Sequence, residues 1–372
     1  MLLNEQGFDL WADGYDRSVG LSEEDGSYPF AGYKAVLGHI AARVMEKPGA
    51  SVLDIGFGTG VLTARLYHAG CRVFGQDFSA RMIALAREKM PAAQLVQGDF
   101  TRGIAPELTA NRYDFIISTY ALHHLTDQQK PGFIRSLLRL LTPGGTLLVG
   151  DVAFATRAEQ DACRTAAGDE WDDEEYYFVA EDMPGYAPDS FTPLSHCAGV
   201  LAWRRPVVTL DPLSPANAPA LLALDCGGFP PAYVEPPSRT IALAHWGEAN
   251  GMDGFCFAIR ADGHDAGLML LGRALPDPAD PAEVRGQRYF RLLGFVVERE
   301  ARERGIGSEA LRQALSALYA VYGPVPVVLE CHRENPALRL YRQLGFRIAG
   351  EHGTDWVMLL PSPAKEPAHA SD

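Results

Sequence analysis

Three things are scarce in this 372-residue sequence: basic charge, long apolar runs and paired cysteines. Lysine and arginine number 33 against 47 aspartates and glutamates, a net charge of -14. That surplus of negative charge repels phosphate backbones and anionic bilayers, so neither nucleic acid nor a membrane surface is expected as a partner. No apolar run approaches the length that spans a bilayer. The opening stretch MLLNEQGFDLWADGYD has acids inside its first apolar segment and no basic flank, unlike a secretory signal. The cysteines, Cys71, Cys163, Cys197, Cys226, Cys256 and Cys331, form no CxxC pair and show no metal-ligand spacing. They read as buried reduced thiols, with no metal site, in a cytoplasmic protein.

What is present is an ordinary globular composition, 47% hydrophobic and 22% charged. The length exceeds a usual single domain, so two domains are expected. From about residue 50 to 152, short apolar runs at 51–55, 72–76, 94–97, 113–118 and 146–150 alternate with helical patterns such as 60–68 and 79–89. Ser79 is a candidate N-cap for the second of these. This alternation predicts a parallel sheet covered by helices on both faces. The acidic run 169–175 reads as a solvated helix start, and the apolar stretch 197–203 as an added edge strand.

The seam Arg204-Arg205-Pro206 suggests domains at 1–206 and 207–361. In the second half, strands are expected at 207–210, 255–259, 266–271, 288–297, 325–331 and 356–360, with helices at 216–224, 305–322 and 336–344. The Asp262-Gly263 step between two apolar runs predicts a hairpin. Residues 362–372 lack the apolar content to pack and are expected to be disordered.

Each half carries a glycine-rich turn where a strand runs into a helix, which lets backbone approach a ligand at the positive end of the helix. The first is Asp54-Ile55-Gly56-Phe57-Gly58-Thr59-Gly60. The dinucleotide fingerprint GxGxxG needs glycine where Val61 stands, so a nicotinamide cofactor is disfavoured. The DxGxGxG run resembles the first motif of class I S-adenosylmethionine-dependent methyltransferases, and the resemblance continues in order. It implies that Asp77 binds the ribose hydroxyls with Phe78 beside it. Asp99 would reach the adenine amino group and Phe100 pack on the ring. Residues 118–125, including Thr119, would line the methionine end, and Pro143-Gly144-Gly145 would turn into the fifth strand. Trp11-Ala12-Asp13-Gly14-Tyr15-Asp16 resembles the N-terminal helix of small-molecule members, in which the tyrosine approaches the cofactor. His123 and His124 are candidate bases, since imidazole titrates near neutral pH.

The second turn, Arg302-Glu303-Arg304-Gly305-Ile306-Gly307, resembles the acetyl-coenzyme A signature of the GNAT superfamily of N-acetyltransferases. The resemblance implies that Arg302, Arg304, Gly305 and Gly307 hold the pyrophosphate and that main-chain groups of Phe295 and Val297 pair with the pantetheine arm. It also implies that Asn335 contacts the cofactor and that Tyr341 is the general acid for the leaving thiolate. Glu303 stands where many members have glycine, and Arg299 where proline is common; weakened binding is expected. Glu298, Glu330 and His332 are candidates by position for the amine-deprotonating base.

The two resemblances imply an α/β protein, a Rossmann-like methyltransferase domain followed by a GNAT domain, with S-adenosylmethionine and acetyl-coenzyme A as cofactors and small molecules as acceptors. The alternative is a single active transferase whose other half senses a cofactor or recruits substrate without turnover. An RNA-modifying methyltransferase is disfavoured by the charge balance. Neither the acceptors nor the oligomeric state is legible.

Overall fold

The structure, a computed structural model, describes residues 26–363. The chain divides into two compact units, Met1–Arg205 and Pro206–Asp372. Tyr15 and its neighbours, and all but the first two residues of the expected disordered tail, lie outside the described residues.

In the first unit, α1 (Tyr33–Met45) precedes the alternating series β1 (Ser51–Ile55), α2 (Val61–His68), β2 (Arg72–Asp77), α3 (Ala80–Lys89), β3 (Gln94–Gln97), α4 (Pro106–Thr109), β4 (Tyr113–Thr119), α5 (Lys130–Leu140) and β5 (Leu141–Phe154). Every residue of β1 is buried, as a central parallel strand covered on both faces requires. Ser79 does cap α3, its hydroxyl accepting the Met82 amide at 3.1 Å. The strand order is β3-β2-β1-β4-β5, all parallel, so the direction of winding reverses between β1 and β4. In such sheets ligands sit outside the carboxyl ends of the strands at this switch point.

Beyond β5 the chain forms α6 (Arg157–Ala167), β6 (Phe178–Val179), β7 (Ser190–Pro193) and β8 (Ala198–Arg204). Two expectations are corrected here. β8 pairs antiparallel with β5 but is not the edge, because β7 pairs outside it. The acidic run is not a helix start: α6 has already ended at Ala167, and the run begins with a 3-10 turn, Gly168–Glu170. α6 opens on a complete capping box, Thr156 with Glu159, and buries a single side chain, Cys163.

In the second unit the sheet order is β14-β15-β13-β12-β11-β10-β9, from β9 (Val208–Pro212), β10 (Gly254–Ala261), β11 (His264–Arg273), β12 (Phe290–Val297), β13 (Val327–His332), β14 (Arg347–His352) and β15 (Asp355–Leu360). The β10–β11 hairpin turns at Asp262 and Gly263, whose φ values of 50° and 84° are those of a type I′ turn. The helices are α7 (Ala218–Leu222), α8 (Pro237–Ala249), α9 (Ile306–Tyr322) and α10 (Leu338–Gln343). α8 and β14 went unanticipated. α8 opens at Pro236-Pro237, and only Pro237, Thr240 and Ile241 of it are buried, too short a stripe to stand out as a period.

All pairings in this sheet are antiparallel except β12 with β13. These two pair in parallel only at Phe290–Val327 and Arg291–Val328 and then part. The bulge in β12 at Leu292–Gly294, opposite Leu270–Leu271, bends the strand where the parting begins.

Candidate active sites

At the switch point of the first unit, Gly56, Gly58 and Gly60 all have left-handed φ, 72°, 55° and 78°. A Cβ on Gly56 would meet the Ala121 methyl at 2.6 Å, whereas one on Gly58 would have nothing within 4 Å among the described residues. Gly56 is therefore glycine for packing, and Gly58 borders open space. Asp77, at the end of β2, binds this loop directly: one carboxylate oxygen accepts the Gly58 amide and the other the Ser79 amide, each at 2.9 Å.

Asp54, at the end of β1, is 1% exposed; one oxygen accepts the Thr63 hydroxyl at 2.5 Å, while the other is buried with no hydrogen-bond partner among the described residues. Burial pushes its carboxyl up to about 7, against the Thr63 hydrogen bond, and the neighbouring Asp77 charge adds to the rise. Asp99 caps the short turn Phe100–Arg102, accepting the Thr101 amide at 2.9 Å, with Arg102 at 3.3 Å. Phe100 is buried against Phe133, ring centroids 5.9 Å apart, and 3.6 Å from where a Gly56 Cβ would stand. Phe78 and Thr119 are half-buried at the ends of β2 and β4. Tyr120 follows in a left-handed conformation, φ 49°, which is strained for a side chain of that size.

The two histidines part company. His123 is buried, its Nδ1 2.6 Å from Asp151 and its Nε2 3.5 Å from Glu175. Burial alone would lower its pKa, but the Asp151 carboxylate and then Glu175 raise it above the usual value. His124 is pushed down to about 4 by burial and by His123. Glu175 is itself raised by burial, and its second oxygen accepts the Tyr177 hydroxyl at 2.8 Å. Tyr177 bonds Tyr28, whose ring stacks on Trp171 at 5.1 Å. Lys130, 1% exposed, fixes the covering segment by donating to the Tyr176 carbonyl and lying 4.4 Å from the Phe178 ring centroid.

Asp151 and Glu175 are functional candidates that sequence reasoning missed. Asp151 sits inside an apolar strand, where a lone acid is the only signal, and Glu175 is one of six acids in the run 169–175. His123, His124 and Glu175 also offer ligand atoms within 4.8 Å of one another, although no metal site was expected.

In the second unit, Gly305 is the N-cap of α9 with φ 80° and supplies no side-chain cap. Its N-terminus lies at the end of the loop that follows β12. Gly307 is held against Leu340 and Phe295, each 3.3 Å from a would-be Cβ. Glu303 adopts φ 63°, a left-handed conformation that glycine would take at no cost. Arg304 is exposed. Arg302 is engaged within its own unit. Its guanidinium donates to the carbonyls of Val297, Gly227 and Cys226 at 2.9, 2.6 and 3.0 Å and lies 4.4 Å from the Phe229 ring centroid. These bonds also engage the Val297 carbonyl. Phe295, half-buried, lies 6.4 Å from Tyr341 between ring centroids.

Asn335 likewise donates to the Tyr233 carbonyl at 3.0 Å and accepts the Ala337 amide at 2.9 Å. Tyr233 stacks on His332 at 4.7 Å. The segment 226–233 is thus tied at one end to Arg302 and at the other to Asn335 and His332. Tyr341 is buried, and burial raises its phenol pKa further above the ordinary value, so it stays protonated. Of the base candidates, Glu330 is held by Arg291 at 2.8 Å and His352 at 3.1 Å. His332 accepts the Glu334 amide at 3.2 Å on Nδ1.

The two architectures define an α/β protein with a Rossmann-like methyltransferase fold followed by a GNAT fold. A family model described as a methyltransferase domain matches residues 52–145, and one described as the acetyltransferase (GNAT) family matches residues 219–346. The chain belongs to the methyltransferase family through its N-terminal unit, and its C-terminal unit carries a GNAT domain.

An uncharacterized methyltransferase of Anoxybacillus flavithermus is 40% identical over 155 residues, 42% of this chain and 70% of the relative. Another from Geobacillus kaustophilus, GK2543, is 40% identical over 148 residues, 40% of this chain and 66% of that protein. These matches span about two thirds of each relative's length. Among solved structures, a DhpI complex with SAH is 19% identical with a TM-score of 0.41, covering 55% of this chain and 95% of that one. A likeness that distant adds nothing to the assignment. No described helix is long and apolar enough to cross a membrane.

Proposed function

We infer that the N-terminal unit transfers a methyl group from S-adenosylmethionine to a small-molecule acceptor. The observation that carries this is the pairing of Asp77 with the Gly58 amide beside open space, below an α2 N-terminus that has no side-chain cap. The unpartnered buried oxygen of Asp54 fits a polar ligand at the same place. Asp54, Asp77, Asp99 and Phe100 would hold the cofactor, which when bound supplies an electrophilic methyl. The protein's part is to align the acceptor and exclude water. His123 accepts a proton at Nε2, and Asp151 on Nδ1 fixes its tautomer and stabilises the imidazolium. Glu175 and the Tyr28–Trp171–Tyr177 group form the wall beside it.

The C-terminal unit is read as an acyltransferase using acetyl-coenzyme A, which supplies a thioester. Supporting this are the parted β12 and β13, the glycine N-cap of α9, and a protonated Tyr341 beside Phe295. Gly305, Gly307 and Arg304 would hold the pyrophosphate, and Tyr341 holds the proton for the leaving sulfur. A second reading, in which this half binds without turnover, is favoured by one observation: Arg302 and Asn335 are already bonded to the 226–233 segment.

Calorimetric titration with each cofactor separately tests the pair. Binding of S-adenosylmethionine should be lost in Asp77→Ala and kept in Gly305→Ala, and the reverse should hold for acetyl-coenzyme A. Heat from neither cofactor refutes the proposal. Release of free thiol across an amine panel separates turnover from binding alone.

A further inference from the structure

Cys163, on α6, and His196 and Cys197, in the bend between β7 and β8, bring two sulfurs and an imidazole nitrogen within 4.8 Å of one another. The expectation of no metal site rested on spacing along the chain, and 32 residues separate Cys163 from His196. We propose that these three side chains bind one thiophilic divalent cation of the zinc type.

Tetrahedral zinc with sulfur at about 2.3 Å and nitrogen at about 2.0 Å places its ligand atoms roughly 3.5–3.8 Å apart. With every pair of ligand atoms already within 4.8 Å, the cluster needs to close by no more than roughly 1 Å to reach that geometry. Two thiolates and a neutral imidazole around a dication give a site of zero net charge, the condition under which a metal can occupy a buried position. Binding breaks both S–H bonds, the two protons leave to solvent, and no electron changes hands. Water takes the fourth position.

The surroundings are built rather than incidental. The Ser195 hydroxyl donates to the Ala31 carbonyl at 2.6 Å and accepts the Ala198 amide at 3.0 Å, so the bend carrying His196 and Cys197 is fixed. Cys163 is the one residue that α6 buries, and apolar packing alone would be served by any small aliphatic side chain. Cys197 is fully buried and Cys163 5% exposed. His196 is exposed, with no hydrogen-bond partner among the described residues, and gives the ion its way in. Among the described cysteines none is in a disulfide.

The test is metal analysis of the full chain, reduced, loaded with Zn2+ and dialysed, followed by competition against a chromophoric chelator. One zinc per chain is expected, with a cobalt–thiolate charge-transfer band when Co2+ replaces it. Cys197→Ser should weaken binding by more than about 100-fold, beyond what loss of an outer partner costs, while Cys226→Ser in the other unit leaves it unchanged. If Cys197→Ser does not fold, His196→Ala, a surface change, should still weaken zinc and leave the melting of the metal-free chain unaltered. Absence of stoichiometric zinc in the wild type overturns the proposal. So does equal zinc in His196→Ala, or a Cys163–Cys197 disulfide that takes up no metal after reduction.

Discussion

Replacing Gly56 and Gly58 separately by alanine divides two roles that look identical in the sequence. Both glycines have left-handed φ, 72° and 55°, and alanine there costs about 1–2 kcal/mol. Only Gly56 adds a collision, 2.6 Å from the Ala121 methyl, while Gly58 faces nothing within 4 Å among the described residues. Overpacking of that kind adds about 1–3 kcal/mol, which brings Gly56→Ala to about 2–5 kcal/mol. For a unit of this size each kcal/mol moves the melting temperature by roughly 2–4 °C. Calorimetry should therefore find Gly58→Ala lowered by roughly 2–8 °C and Gly56→Ala by roughly 4–20 °C. Titration with S-adenosylmethionine should reverse the emphasis, because the new methyl of Gly58→Ala enters the space assigned to ligand. Equal melting losses, or unchanged affinity in Gly58→Ala, would refute the division of roles.

The remaining predictions concern charge and strain. The folded state holds a proton on Asp54 up to about pH 7 that the unfolded chain releases near 3.8, so stability falls as pH rises through that window. From pH 5 to pH 8 the loss is on the order of 3 kcal/mol, and urea unfolding should find it in the wild type but not in Asp54→Asn. His123 is raised by Asp151 and Glu175, so its charged form stabilises the fold below the unfolded pKa, and that contribution disappears as pH rises through the folded one. NMR titration should find the His123 ring titrating lower in Asp151→Asn; no change would separate the two residues. Glu303→Gly relieves a left-handed glutamate and should gain up to about 1 kcal/mol along with tighter acetyl-coenzyme A binding. Tyr341→Phe should keep its melting temperature while thiol release falls by about 100-fold or more.

Most strands of both sheets were legible in the sequence because they contain short apolar runs closed by turn residues; the short strands β6 and β7 were not. Asp262-Gly263 and Ser79 act within three residues of themselves, so the hairpin and the α3 cap could be read locally. α8 and β14 could not. Of α8 only three residues are buried, and β14 has a burial pattern with no buried position at all. Each is recognisable only by what it packs on. The acidic run misled for the same reason: Glu175 is withdrawn from solvent by His123 and Tyr177, 52 and 2 residues away.

The same contrast separates the cofactor sites from the acceptor sites. Gly56, Gly58, Gly305 and Gly307 act through backbone geometry at turns that lead from a strand into a helix, and such geometry leaves a fixed spacing in the chain. The groups that would meet an acceptor are assembled across the fold: Asp151 from β5 onto His123 after β4, Glu175 from beyond α6, and Tyr233 onto Asn335 and His332. No spacing records them. The Arg302 guanidinium illustrates the cost of reading a motif residue alone. In the sequence it is a phosphate ligand, but three carbonyls and an aromatic face already surround it, so pyrophosphate would fall to Arg304 and the α9 amides. If the 226–233 segment must release Arg302 before acetyl-coenzyme A binds, Phe229→Ala should raise the association rate. If Arg302 is purely structural, that variant should leave the rate unchanged.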